Sequence, residues 1–340
     1  MSLSVNSPPL AQREQRGERN TGLVRYAWAL LFFNLAVILW GAWVRVTGSG
    51  AGCGSHWPTC NGQVLPQSPQ LETVIEFVHR TTSGFAGVLV LGLVVWAFRA
   101  FAKGHPARTG AVLSLFFIML EGAVGALQVR LGLTADNASL GRAIIQPIHF
   151  GNTFLLLGAL YYTAVSSAGV KWVWGQGRAV WAWIVGTGLL TLVLGATGAV
   201  TALGDTLFPT AAGESLLEGV KKTFDPASNF LLQLRVIHPE LALVSTVALL
   251  SFSAWLNRFK SGVEVARASQ ILLWTLGAQM FAGILTLMLK APAFMQLLHL
   301  TLACVLWIAV LNLFRAALER PVPIRAPVLS PSLSRAEVQS

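Results

Sequence analysis

Eight apolar runs of roughly 20 residues divide this 340-residue chain, and they constrain its fold more than any other feature. They read as approximately Val24–Val44, Val74–Phe98, Gly110–Val129, Ala143–Val165, Ala179–Ala202, Leu231–Leu256, Ile271–Met288 and Ala293–Leu313. A helix rising 1.5 Å per residue needs about 20 residues to cross some 30 Å of hydrocarbon, and short core helices have no use for such runs. With 54% apolar and 11% charged residues, the natural solvent of this chain is a lipid bilayer. The expected fold class is therefore an all-α polytopic membrane protein with eight transmembrane helices and both termini on one side.

The formal charge of +10 follows topology. Arg13, Arg16, Arg19, Arg25, then Arg99, Lys103, Arg108, then Lys171, Arg178, then Arg258, Lys260, Arg267, then Arg315, Arg320, Arg325 fall in the termini and even-numbered loops. The odd loops hold fewer basic residues, chiefly Arg142, Lys221, Lys222 and Lys290. The positive-inside bias makes the termini cytoplasmic and turns the first loop outward. The basic residues do not form a patch with interleaved stacking aromatics, so no nucleic acid is expected as a partner.

Residues 1–22 are polar and mixed in charge, with no small-residue cleavage site in the first run, which predicts a cytoplasmic tail before a retained anchor. Residues 318–340, rich in Pro, Ser and Arg, offer little apolar surface to offset the entropy of ordering and are expected to be disordered.

The two halves echo one another. Ile145-Gln146-Pro147-Ile148-His149 in the fourth run is matched by Met295-Gln296-Leu297-Leu298-His299 in the eighth, both holding Gln-x-x-His. Ile75-Glu76-Phe77-Val78-His79 and Leu234-Arg235-Val236-Ile237-His238 each put one histidine early in the second and sixth runs. Gly41 to Gly48 and Gly195 to Gly204 add a weaker match. These echoes predict two pseudo-repeated four-helix bundles, residues 23–167 and 178–317, joined by Ser166–Gly177.

His79, His149, His238 and His299 thus share one depth near the outer ends of the even spans. Polar side chains inside a bilayer are costly and turn to the bundle interior. Taken singly, each could be hydrogen-bonded to a neighbouring helix; four at matched positions call for a common cause. Paired on facing helices, His79 with His149 and His238 with His299, they can ligate the two faces of a porphyrin. A closed zinc site fits less well, because the four divide between halves and Glu76 is their only close carboxylate companion by sequence. Glu76 shares a helical face with His79 and reads as a catalytic group or as an interfacial carboxylate at a helix N-terminus. Arg45 and Arg80 are candidate contacts for haem propionates, or snorkel to headgroups. His56 and His105 read as solvated loop residues.

Cys53 and Cys60 bracket an outward loop whose glycines and proline permit a bridge, as a structural staple or as an electron-exchanging thiol pair. Cys304 lies inside the eighth run and reads as a packing residue.

Arg45-Val46-Thr47-Gly48-Ser49-Gly50, Cys53-x6-Cys60-Asn61-Gly62 and Glu76-x-x-His79-Arg80, followed in order by His149, His238 and His299, resemble the haem A synthase family over residues 24–315. The cysteine pair resembles the bacterial branch that carries a disulfide in the first outer loop. Some of those relatives have a second cysteine pair in the third outer loop, where Gly204–Asn229 here has none.

The resemblance implies an oxidoreductase of cytochrome oxidase assembly in a bacterial plasma membrane. It would oxidise the ring D methyl of haem O to a formyl group, giving haem A by way of an alcohol and a hydrated aldehyde. By the same resemblance, Glu76 is catalytic, His79 and His149 ligate the substrate haem in the first half, and His238 and His299 ligate a haem b cofactor in the second. Candidate partners are an electron-transfer protein, haem O synthase, the lipid bilayer and a second copy of the chain. The same histidine pairs would serve a di-haem electron carrier of the cytochrome b or quinol oxidoreductase type. A transporter built on internal repeats would instead line a central path with polar residues.

Overall fold

A computed structural model describes residues 19–211, 213–260 and 262–320. Residues 1–18 and 321–340, which hold most of both expected tails, lie outside the described residues. Among the described residues, eight helices are long and apolar enough to cross a membrane: Thr21–Val46, Leu71–Ala100, Pro106–Arg130, Leu140–Ser167, Arg178–Leu207, Phe230–Phe259, Val263–Met288 and Ala293–Leu318. These are the first to eighth spans, and the chain is a multi-pass membrane protein. Large apolar side chains such as Trp274, Val247, Phe116 and Met119 point away from the bundle, where lipid is their proper solvent.

Each expected run lies within one helix, but the helices run further. The seventh begins at Val263 instead of Ile271, because backbone hydrogen bonding continues after apolarity stops. Its extra turns carry Glu264, which pairs with Arg267 at 3.5 Å and with Arg315 at 3.0 Å. Start signals are local: the Asn20 side chain accepts from the Leu23 N–H at 2.9 Å, Ser139 caps the fourth span, and Pro106 opens the third, where its missing N–H costs nothing.

Two spans are irregular beside a histidine. Pro147 sits inside the fourth span two residues before His149, where proline removes a backbone donor that neighbouring helices must compensate. The sixth opens with one α-turn, Phe230–Gln233, passes through a 3-10 turn, Leu234–Val236, and becomes regular only at Ile237. Between the fifth and sixth spans lies a further short helix, Leu216–Phe224, set by a reciprocal cap between Ser215 and Glu218.

Within each set of four, sequential spans pack side by side, and the two sets meet mainly where the first and fourth spans face the fifth and eighth. At that seam Trp307 Nε1 donates to the Phe154 carbonyl at 2.7 Å and the two rings stack 5.5 Å apart. Gly195 allows the fifth span to close on the fourth; a Cβ there would stand 2.8 Å from Phe150 Cε1. At the opposite end from the histidines, Val173 N–H donates to the Leu318 carbonyl and Arg320 N–H to that of Lys171. Leu318–Arg320, expected in the disordered tail, are thus paired with the connection between the halves.

Candidate functional site

The four even spans begin at the same end of the bundle, and each carries its histidine in its first ten residues. The four rings line one continuous cavity of about 1680 Å³ that reaches across both halves. Small-molecule pockets usually span about 300–1,000 Å³, so this one has room for more than one ligand.

Each histidine packs against a glycine of the preceding span. A Cβ at Gly41 would lie 2.8 Å from His79 Cε1, at Gly198 2.9 Å from His238 Cε1, at Gly283 3.1 Å from His299 Cε1, and at Gly125 4.0 Å from His149 Cε1. The first three glycines are seats that no larger residue supplies without moving the ring. The Nδ1 atoms of His79, His149 and His299 are buried without a hydrogen-bond partner. His238 Nδ1 lies 3.3 Å from Thr197 Oγ1, and His299 Nε2 lies 3.2 Å from Gln279 Nε2.

Beside His79, Glu76 is 3% exposed and tied to the cysteine loop. Its Oε2 accepts from the Cys53 N–H at 2.8 Å, and its Oε1 accepts from Arg80 Nη2 at 2.5 Å and Nε at 3.1 Å. Arg80 Nη1 also donates to the carbonyls of His56 and Thr59. The loop is closed by a Cys53–Cys60 disulfide with Cα atoms 4.4 Å apart. It sits on the start of the second span: the Thr73 hydroxyl donates to the Gly52 carbonyl at 2.8 Å, and a Cβ at Gly52 would collide with the Glu72 backbone at 2.5 Å. Loop, Arg80 and Glu76 form one hydrogen-bonded unit, and Cys304 is a buried free thiol well away from it in sequence.

Arg45 is placed differently from Arg80. It leaves the first half altogether, donating to the Ala202 carbonyl at 2.6 Å, to Thr206 Oγ1 and to Gln296 Oε1 at 3.1 Å in the second. Close by, Arg235 pairs with Asp205 at 2.8 Å. Arg45, Arg142, Arg235 and Lys290 all line the cavity, a surplus of positive charge suited to carboxylate groups.

Sequence reasoning missed Glu121. Its Oε1 lies 3.4 Å from His149 Nδ1, off the line of a hydrogen bond, so Glu76 is not the only carboxylate companion of the histidines. The signal was present, since Glu121 is the single acid in the otherwise apolar third span and an intramembrane carboxylate is a functional candidate by default.

Haem fits these residues. The centroids of His238 and His299 are 6.3 Å apart with perpendicular planes. Bonds of about 2.0–2.1 Å from two imidazoles to one metal ion, plus the distance from nitrogen to ring centre, give a separation of roughly 6 Å. His79 and His149 line the same cavity. Among the described residues no three His, Cys, Asp or Glu cluster as metal ligands.

A family model described as cytochrome oxidase assembly protein, COX15-CtaA, matches residues 24–311. A protein of Thermus thermophilus named protoheme IX farnesyltransferase is 49% identical over 301 residues, 88% of this chain and 49% of that one. The chain thus spans about half the length of that relative. Proteins named heme A synthase are similar over shorter stretches: that of Shouchella clausii is 42% identical over 117 residues, 34% of this chain and 36% of its own, and that of Geobacillus kaustophilus 38% over 135 residues, 40% of each. The match of the family model over nearly all eight spans places this chain in the COX15-CtaA family of cytochrome oxidase assembly proteins.

Proposed function

We propose that the chain is a haem A synthase, which oxidises the ring D methyl of haem O to a formyl group and yields haem A. The observation that carries this reading is the buried Glu76, held by Cys53 and Arg80 in the cavity wall three residues from His79. An electron carrier needs the histidines but has no use for a desolvated carboxylate so fixed. The kinship with the named heme A synthases supports the same activity.

In this reading the chain is two pseudo-repeated halves, 23–167 and 178–317, and the glycines of the odd spans that face the four histidines, three of them close seats, support the repeat. His79 and His149 hold the substrate haem O; His238 and His299 hold haem b, which supplies one-electron transfer when bound. Glu76 lies beside the reacting methyl, where its negative charge stabilises positive charge as it develops and its oxygens accept a proton. The hydrogen bonds from Cys53 and Arg80 fix its direction beforehand. Arg45 and Arg80, both in the cavity wall, are the contacts for haem propionates. The basic-residue bias sets the termini in the cytoplasm and the cysteine loop outside a bacterial plasma membrane. Haem O synthase, an electron-transfer protein and a second copy of the chain remain its candidate partners.

Haem extracted from cells that express the chain and are supplied with haem O tests this. Haem A or its alcohol precursor, absent from cells lacking the chain, is the expected pigment. Unchanged haem O together with a redox-active haem b would overturn the synthase reading in favour of an electron carrier.

A further inference from the structure

Glu121 has no part in the chemistry assigned to Glu76, yet it is held with equal care. Thr153 Oγ1 donates to its Oε1 at 2.6 Å and Asn152 Nδ2 donates to its Oε2, while the same Asn152 nitrogen is anchored to the Phe117 carbonyl at 2.9 Å. Asn152 and Thr153 lie three and four residues after His149, so one turn of the fourth span carries both the imidazole and the clamp. The clamp leaves Oε1 3.4 Å from His149 Nδ1, within ion-pair distance but off the line of a hydrogen bond, and that buried nitrogen has no hydrogen-bond partner.

The second half supplies the control. Gly125 and Gly283 are the glycines that face His149 and His299. Four residues before Gly125 stands Glu121, and four residues before Gly283 stands Gln279, whose Nε2 lies 3.2 Å from the His299 ring. One position thus holds a carboxylate at Nδ1 of His149 and a neutral carboxamide at the opposite nitrogen, Nε2, of His299, whose own Nδ1 is buried without a hydrogen-bond partner.

We propose that Glu121 is a positioning residue for His149, keeping the ring proton on Nδ1 and its Nε2 lone pair free for haem iron, and making this imidazole a stronger donor than His299. The inference rests on the reading of His149 as a haem ligand. A carboxylate on the far nitrogen of a ligating histidine fixes its tautomer and raises its basicity, and loss of such a partner costs about 10–100-fold in metal affinity. The haem of the first half then has the lower reduction potential of the two.

The test uses the full chain purified with its haems, by redox titration followed optically and by electron paramagnetic resonance, and by haem transfer to apomyoglobin. In Glu121→Gln the first-half haem is expected to rise in potential, to change its resonance signature and to be held about 10–100-fold less tightly. The second-half haem stays unchanged and reports that the variant is folded. Should Glu121→Gln fail to fold, Thr153→Val retains the carboxylate without its guide, and a smaller shift in the same direction is expected. A two-haem protein whose first-half haem keeps its potential, signature and affinity within twofold in Glu121→Gln, or in which both haems shift together, overturns the role of Glu121 alone. A wild-type chain that binds no haem through His79 and His149 overturns the ligand reading, and this inference with it.

Discussion

Three residues before the second-span histidine the chain has Glu76; three residues before the sixth-span histidine it has Arg235. At the glycine shelf the same contrast appears as Glu121 against Gln279. At these two positions the first half has two carboxylates, Glu76 paired with Arg80 and Glu121 beside His149, and the second has a cation paired with Asp205 and an amide. Two unit charges about 4 Å apart interact by about 4 kcal/mol at an effective dielectric of 20, so these exchanges outweigh most differences in packing.

The strongest way to break this comparison is to remove ligands from one half at a time. His238→Ala or His299→Ala is expected to abolish the second-half haem signal in the purified protein, while Glu76→Ala leaves it intact. Equal loss of that signal in all three variants contradicts the division.

A finer cut uses the glycine seats. Gly41→Ala is expected to empty the first site and Gly198→Ala the second, since each new methyl would press on a histidine ring at 2.8 and 2.9 Å. Gly283→Ala, at 3.1 Å, is expected to weaken haem retention without abolishing it, and Gly125→Ala, at 4.0 Å, to leave it unchanged. Haem-to-protein ratios from absorbance measure the whole series, and a ratio that ignores this order removes the glycines from the account.

Glu76→Gln preserves size and most hydrogen bonds but not charge. Haem A formation is expected to fall by about 10²–10⁴-fold, the usual contribution of a positioned acid or base, with both haems retained. Pigment analysis over time reads this, and a rate within a few-fold of wild type rules out a chemical role for the carboxylate.

The smallest effect is expected at the loop that anchors Glu76. Closing seven residues of separation by the Cys53–Cys60 bridge contributes about 2.5 kcal/mol in the chain-entropy account. Cys53→Ser with Cys60→Ser should lower the thermal midpoint accordingly and reduce haem A formation less than Glu76→Gln does. A larger loss of activity than in Glu76→Gln would show that the thiols themselves exchange electrons.

The spans, the histidine depth and the cysteine bridge were legible in sequence because each leaves a local trace: a run length, a repeated motif, a short spacing. The seats of the histidines left none. Gly41 and His79 are 38 positions apart, and only the packed bundle shows that one exists to admit the other. Arg45 was legible as a cation at a helix end, but its partners are a backbone carbonyl, a hydroxyl and an amide of the other half, which carry no charge signature. The short helix at Leu216–Phe224 was announced by Ser215-x-x-Glu218, a signal overshadowed by the search for long apolar runs. Glu121 was passed over for the same reason, a single letter inside a span read only for its apolarity.

On the proposed function, each histidine pair holds its own haem and the two haems have different fates. Mass analysis of haem extracted from the purified wild type and from the His149→Ala and His299→Ala variants, each produced with a supply of haem O, tests it most directly. Two haems per wild-type chain are expected, with His149→Ala keeping protohaem while losing the farnesylated species, and His299→Ala showing the reverse. One haem per chain, or the same pigment lost from both variants, would contradict the account.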